Sequence, residues 1–146
     1  MKVERLDRVA INVKNLDEAK KFFSDLLGTS FEMSPIETLE KKEHIASTSD
    51  GLVFKGVAIS PIGLELMETS PPCKEEGIRS FHLKVTDLEE AKADMKRKGV
   101  RLVAEFRHGG LKEAIFGRDD LHGIRLVLVE YEGSDAMSAI KQKGKR

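Results

Sequence analysis

The feature that most constrains how this chain folds is a string of residues that it uses twice. Val13-Lys14-Asn15-Leu16-Asp17-Glu18-Ala19-Lys20 aligns without gaps on Val85-Thr86-Asp87-Leu88-Glu89-Glu90-Ala91-Lys92. In each copy an apolar, β-branched run precedes the string and apolar residues at helical spacing come after it, so a strand passes into a helix at both places. The first such run is Val3 to Val13. Asn15 is placed to cap the helix, Glu18 stands three residues on as in a capping box, and Leu16, Ala19, Phe22, Phe23, Leu26 and Leu27 recur at the helical period. Gly28 and Gly99 close the two helices, since glycine adopts the left-handed conformation of a helix stop without steric cost.

The segments beyond the two helices are also alike. After Gly28 come Phe31 to Ile36, a polar stretch around Lys41 to Asp50, and then Leu52 to Ile59 and Leu64 to Glu68, the last two joined by a turn at Ser60-Pro61. After Gly99 come Val100 to Phe106, Ala114 to Gly117 and Gly123 to Tyr131, with hairpin turns at Gly109-Gly110 and Asp119 to Gly123. Strand, helix and three strands therefore occur twice. The chain is read as α+β, with two tandem βαβββ modules over 1–69 and 78–132 in one domain over 1–132. Pro71, Pro72 and a charge cluster mark 70–77 as a linker. The segment 133–146 reads as a polar, basic tail, frayed or only partly helical. A length of 146 residues suits one domain, because a chain of that size buries about two thirds of its unfolded surface.

Composition excludes several classes. Lysine plus arginine and aspartate plus glutamate both number 25, so no excess charge draws the molecule toward nucleic acid or an acidic membrane. Cys73 is the single cysteine, which rules out an internal disulfide framework and a cysteine-based zinc cluster. The start of the chain is charged where a signal peptide needs an apolar run, and nothing approaches the ~20 apolar residues of a membrane helix. The expectation is a cytoplasmic protein with neither nucleic-acid nor membrane partner.

Two βαβββ units with V-x-[ND]-L-[DE]-E-A at each strand-to-helix junction, and a closing D-x-x-G-x-x-[LI] hairpin, resemble the vicinal-oxygen-chelate superfamily of glyoxalases, bleomycin-resistance proteins and extradiol dioxygenases. The resemblance covers residues 4–132. It implies a cupped mixed sheet around a cavity, built by pairing modules within a chain or across a dimer, and a homodimer is expected. It also implies a place for a metal. Relatives that use one carry a histidine five residues before the valine ending the first strand of each module, and a carboxylate in each last strand. Val13 and Val85 are those valines, so the histidine positions fall on Arg8 and Ser80, and the carboxylate positions on Glu65 and Val127. One of the four usual ligand types remains.

Neighbouring residues do not restore the set. His82 shares a sheet face with Ser80 but lies about 6.6 Å further along at ~3.3 Å per residue. Glu130 is an odd number of residues from Val127 and faces the other way. Alternation places Arg8, Ala10 and Asn12, Gly63, Glu65 and Met67, Ser80, His82 and Lys84, and Arg125, Val127 and Val129 toward the cavity. A carboxylate buried among them requires a partner, and an Arg8–Glu65 ion pair is the natural substitute for metal and ligand.

The resulting expectation is a protein without metal or other cofactor that binds a small anionic or polar molecule through Arg8, Asn12, Glu65, Ser80, His82, Lys84 and Arg125. The alternative is a lyase, epimerase or dioxygenase of the same superfamily, with Glu65, His82 and Lys84 as the acid–base candidates or with a non-standard metal site. His44 and His122 fall in or beside polar turns and read as solvated. His108 adjoins Gly109-Gly110, a hairpin tip or a flap. Cys73 has Lys74 beside it but no histidine partner, and Lys141, Lys143, Lys145 and Arg146 have no interleaved aromatic residues, so neither group suggests a site.

Overall fold

Asn15 and Asp87 both cap. In the computed structural model, which describes residues 1–35, 39–41 and 53–142, Asn15 Oδ1 accepts from the Glu18 N–H at 3.0 Å and Asp87 Oδ1 from the Glu90 N–H at 3.1 Å. They open helices α1 (Leu16–Leu27) and α2 (Leu88–Arg97). A second acceptor reaches each helix start from the last strand of the same module. Glu68 Oε1 takes the Leu16 N–H and Glu130 Oε1 takes the Leu88 N–H, both at 2.8 Å. A carboxylate beside the first N–H groups also meets the positive end of the helix dipole.

The strands are β1 (Val3–Asn12), β2 (Glu32–Met33), β3 (Leu39–Lys41), β4 (Val53–Ile59), β5 (Leu64–Ser70), β6 (Gly77–Val85), β7 (Leu102–His108), β8 (Leu111–Phe116) and β9 (Leu126–Glu130). They form one curled sheet in the order β2-β4-β5-β1-β6-β9-β8-β7-β3. Eight of them complete the two βαβββ modules, and β3 is an addition at the outer edge of β7. The modules join within the chain through antiparallel β1 and β6, where Arg8 pairs with His82 and Ala10 with Ser80. That register brings the first strands of both modules together at the centre.

Outside the irregular stretches of β1, alternation sorts the side chains. Leu64, Leu66 and Ala58 face α1 with Val13 and Leu16, while Val85, Ala114, Phe116 and Leu128 face α2 with Leu88, Ala91 and Met95. The other face is concave and holds Val57, Ile59, Leu111, Ile115, Val127 and Val129. Its rims meet where His108 Nε2, at the end of β7, lies 3.0 Å from Pro35 O and 3.4 Å from Ser34 Oγ.

Three expectations need correction. β8 begins at Leu111 rather than Ala114, because Gly109-Gly110 make a two-residue turn and pairing starts at once. β3 falls in a stretch read as polar, and its pairing with β7 supplies what its own pattern does not. The tail is not a frayed polar end: Ala136–Lys141 form a third helix, α3, capped by Asp135, with Ala136, Met137, Ala139 and Ile140 buried on the concave face. His44 and most of the polar stretch around it, and Lys143, Lys145 and Arg146, lie outside the described residues. No described helix is long and apolar enough to cross a membrane.

The glutamate brace at the start of α2 gives a measurable expectation. Glu130→Ala strips the acceptor from a buried N–H and should cost about 1–2 kcal/mol in chemical denaturation. Glu130→Gln, which keeps an acceptor, should cost less than half of that.

Candidate functional site

A guanidinium occupies the middle of the cup. Arg8 projects from β1, the strand hydrogen-bonded to both β5 and β6, and its side chain is almost wholly buried. Its Nε donates to Glu65 Oε1 at 2.6 Å, its Nη1 to Asp7 Oδ2 at 2.7 Å, and its Nη2 stands 3.6 Å from Glu113 Oε2. Those three carboxylates come from β5, from β1 itself and from β8. Burial, the largest influence on Arg8, disfavours its charge, and the attraction of Glu65 and Glu113 outweighs it, so its pKa is raised. Arg8 remains a cation throughout the accessible pH range.

His82 sits across the β1–β6 seam from Arg8. Its Nε2 is 3.1 Å from Ser80 Oγ, and its Nδ1 is 3.5 Å from Glu113 Oε2, an ion-pair distance without the alignment of a hydrogen bond. Burial raises the Glu113 pKa, and His82 and Arg8 together more than offset it, so that carboxyl is held below the usual glutamate range. Among the described residues, His82 Nδ1 and Asn12 Oδ1 are the buried side-chain atoms without a hydrogen-bond partner. Each is a polar atom with bonding capacity unused, a cost that a ligand could remove.

A second cationic pair lies further along the β1–β6 seam. Lys84 is buried, with Nζ 4.2 Å above the Tyr131 ring centroid, 2.7 Å from Gly133 O and 3.7 Å from Glu4 Oε1. Arg5 pairs with Lys84 in the strand register. Its Nη2 donates to the Tyr131 hydroxyl at 2.7 Å and to Ser134 O at 3.0 Å, with Asp7 Oδ1 at 3.3 Å. Tyr131 in turn donates to Asp7 Oδ1 at 2.5 Å, and burial together with that bond raises its pKa. A cleft of about 130 Å³ opens here, walled by Arg5, Asp7, Arg8, Ser60, Tyr131 and the tail residues Ser134 to Ala136.

Of the residues singled out from sequence, Arg8, Glu65, Ser80 and His82 are brought together and buried, Lys84 is buried against Tyr131, and Asn12 is half-buried at the end of β1. Arg125 lies at the edge of the second module's last strand. It precedes β9, half-buried, and its carbonyl accepts from the Phe81 N–H at 3.1 Å. His122 is exposed in the turn before β9, His108 is a buried rim contact, and Cys73 is a half-buried thiol between β5 and β6. Glu130 turns away from the cup to α2, as its parity requires.

The sequence reading omitted Glu113, Asp7, Tyr131 and Arg5. Two of these had a signal. Tyr131 continues the parity of Val127 and Val129, and Glu113 shares that of Leu111 and Ile115 once β8 is started at the correct residue. Asp7 and Arg5 had none, because β1 is irregular against β6 between Val3 and Arg5 and again between Leu6 and Arg8, which breaks simple alternation.

The comparisons with known proteins agree with this architecture. The profile of the family described as the Glyoxalase/Bleomycin resistance protein/Dioxygenase superfamily matches residues 7–116. No curated protein sequence matches the chain. Among solved structures, the chain is similar to methylmalonyl-CoA epimerase from Mycobacterium tuberculosis at 22% identity, over 90% of each chain, with a TM-score of 0.65. It is similar to a Streptomyces coelicolor methylmalonyl-CoA epimerase in complex with 2-nitronate-propionyl-CoA at 24% identity, over 90% of this chain and 100% of that one, with a TM-score of 0.63. A hypothetical protein from Bacillus halodurans is similar at 20% identity, over 89% and 96%, with a TM-score of 0.68. At these identities the likeness is one of fold.

Arg8 and Glu65 form the pair whose removal should be felt most. Arg8→Ala leaves carboxylates buried without their counter-charge and should cost about 3–5 kcal/mol in urea unfolding. Adding Glu65→Gln should recover a substantial part of that loss. Small, additive effects of the two changes would mean that the pair is not coupled.

Proposed function

The chain belongs to the Glyoxalase/Bleomycin resistance protein/Dioxygenase superfamily, and we propose that within it this protein is a metal-independent member that binds a small polar or anionic molecule in the cup of the sheet. The observation that supports the reading is Arg8. Its guanidinium stands where the resemblance to the family places a metal ligand, and it joins carboxylates from β5 and β8. A divalent cation placed among those carboxylates would face a fixed positive charge a few ångströms away. Ser80 and Val127, where the resemblance places two more ligands, offer a weak donor and none. Among the described residues no three histidine, cysteine, aspartate or glutamate side chains are grouped to hold a metal ion.

In this arrangement Arg8 serves first as a structural cation, because its Nε and Nη1 donate to Glu65 and Asp7 and its Nη2 faces Glu113. The groups suited to a ligand are Lys84 and Arg5, which donate to backbone carbonyls of the tail, Gly133 O and Ser134 O, Arg5 also to the Tyr131 hydroxyl. A ligand atom could take the place of either carbonyl.

A second reading has one observation in its favour. His82 Nδ1 is buried beside Glu113 without a hydrogen bond, which leaves an imidazole nitrogen free to exchange a proton with a bound carbon acid, as an epimerase or lyase would require. Solvent deuterium entering the α-position of a bound acyl compound, and lost in His82→Gln, would establish that reading over simple binding.

The homodimer expected from sequence is part of the same proposal, with a changed basis. The modules pair within the chain, so the need for a partner comes from α1, which leaves Phe22 59% and Leu26 64% exposed with Leu27 and Met33 also exposed nearby in sequence. Two measurements test the proposal. Protein purified without added metal and dialysed should carry well under one equivalent of any divalent transition metal, and a stoichiometric signal would overturn metal independence. Sedimentation at micromolar concentration should give a dimer that Phe22→Asp converts to a folded monomer.

A further inference from the structure

The C-terminal segment occupies the cup as a ligand would. α3 presses Ala136, Met137, Ala139 and Ile140, each more than nine-tenths buried, against Ile59, Leu111, Val127 and Val129. Immediately before it, Gly133 O accepts from Lys84 Nζ at 2.7 Å and Ser134 O accepts from Arg5 Nη2 at 3.0 Å. The β7–β8 hairpin is shaped to receive the segment. The Gly110 N–H donates to Ala139 O at 2.8 Å, and a Cβ at Gly109 would overlap the Ile140 carbonyl. An apolar body and two carbonyl oxygens thus lie against an apolar wall and two cations.

Building on the reading of the cup as a small-molecule site, we propose that the site takes an acyl compound, an apolar chain that ends in a carbonyl-type acceptor, and that such a ligand binds by displacing the segment from Gly133 to Gln142. The apolar wall selects the body. Lys84 and Arg5 select the head, because ammonium and guanidinium groups only donate hydrogen bonds and a buried lysine without an acceptor is costly. The head does not have to be charged. Glu4 Oε1 lies 3.7 Å from Lys84 and Asp7 Oδ1 3.3 Å from Arg5, so each cation has a counter-charge in addition to its carbonyl. A carboxylate and a primary amide share the acceptor chemistry, and a protonated amine lacks it.

Displacement is a consequence of overlap, since one volume cannot hold both α3 and the acyl body. The apparent affinity is then the intrinsic one reduced by the fraction of molecules in which the segment is released. Weakening the segment's hold should tighten binding without a new contact to the ligand.

The experiment uses the full chain with octanamide, octanoate and octylamine as probes, read by calorimetry and by amide hydrogen exchange. In the unmodified protein, octanamide and octanoate should bind and lower the protection of amides 136–142, and octylamine should do neither. Ile140→Asp, which puts a charge where α3 is buried, should bind the two acyl probes roughly tenfold more tightly. Lys84→Met added to Ile140→Asp, where the segment no longer competes for Lys84, should weaken both probes about tenfold or more, a loss expected when a charged hydrogen bond to the head goes. If Ile140→Asp does not fold, the exchange measurement on the unmodified chain decides alone. Binding that leaves 136–142 protected, equal binding of octylamine, or no binding of either acyl probe would overturn the proposal. A failure here in protein shown to be free of metal leaves metal independence standing, whereas stoichiometric metal would remove that reading and leave the displacement open to the same measurement.

Discussion

Everything in the interior is arranged around the burial of one guanidinium. Arg8 comes from the strand at the seam, Glu65 from the first module and Glu113 from the second, so a single cation bonds or pairs with both halves of the sheet. A buried charge is tolerable only when its bonding directions are filled, and a buried carboxylate only when a cation or donors meet it. Each therefore fixes the other. Asp7 carries the arrangement outward, since it accepts from Arg8, Arg5 and Tyr131 and so links the central cluster to the edge where the tail docks. In exchange for stability that hydrophobic residues could supply, such a network gives the two modules one register.

The internal repeat is kept where it builds the fold and lost where it builds the site. Asn15 matches Asp87, and the glutamate that braces α1, Glu68, matches the one that braces α2, Glu130. These are backbone problems with one chemical answer, so both modules give it. At the concave positions the copies diverge: Arg8 stands opposite Ser80 in the repeat, and Glu65 opposite Val127. A symmetric interior would have placed like charges against each other across the seam. The divergence gives one cation in the first module facing carboxylates supplied by both.

That division also explains what could be read from the residues alone. Module order, helix starts, the glycine stop at Gly28 and the Arg8–Glu65 pair depend on local rules of spacing, capping and alternation, and each is visible in the letters. Glu113 depended on where β8 starts, an error of three residues that changed a cavity residue into a turn residue. β3 is a strand because β7 offers an edge, which no property of Leu39 to Lys41 announces. The tail was misjudged for a similar reason. Met137 and Ile140 lie among polar residues, and only the concave wall that receives them makes Ala136–Lys141 a buried helix.

That wall also sets how firmly the tail is held. Burying a methionine or isoleucine side chain gives roughly 1.5–3 kcal/mol, and fixing one residue's backbone costs about 1–2 kcal/mol. A six-residue helix with two large apolar side chains and two alanines buried has gains and costs of the same order. Its docking must then lean on the few polar bonds at its ends, from Lys84, Arg5 and Gly110. The cup itself stands differently, since its charges are joined through strands that the sheet already orders. A receptacle ordered by the sheet and closed by a segment whose docking gains and ordering costs are of the same order is an arrangement in which modest differential affinity shifts the population, and the groups that hold the segment are the ones a ligand's head would need.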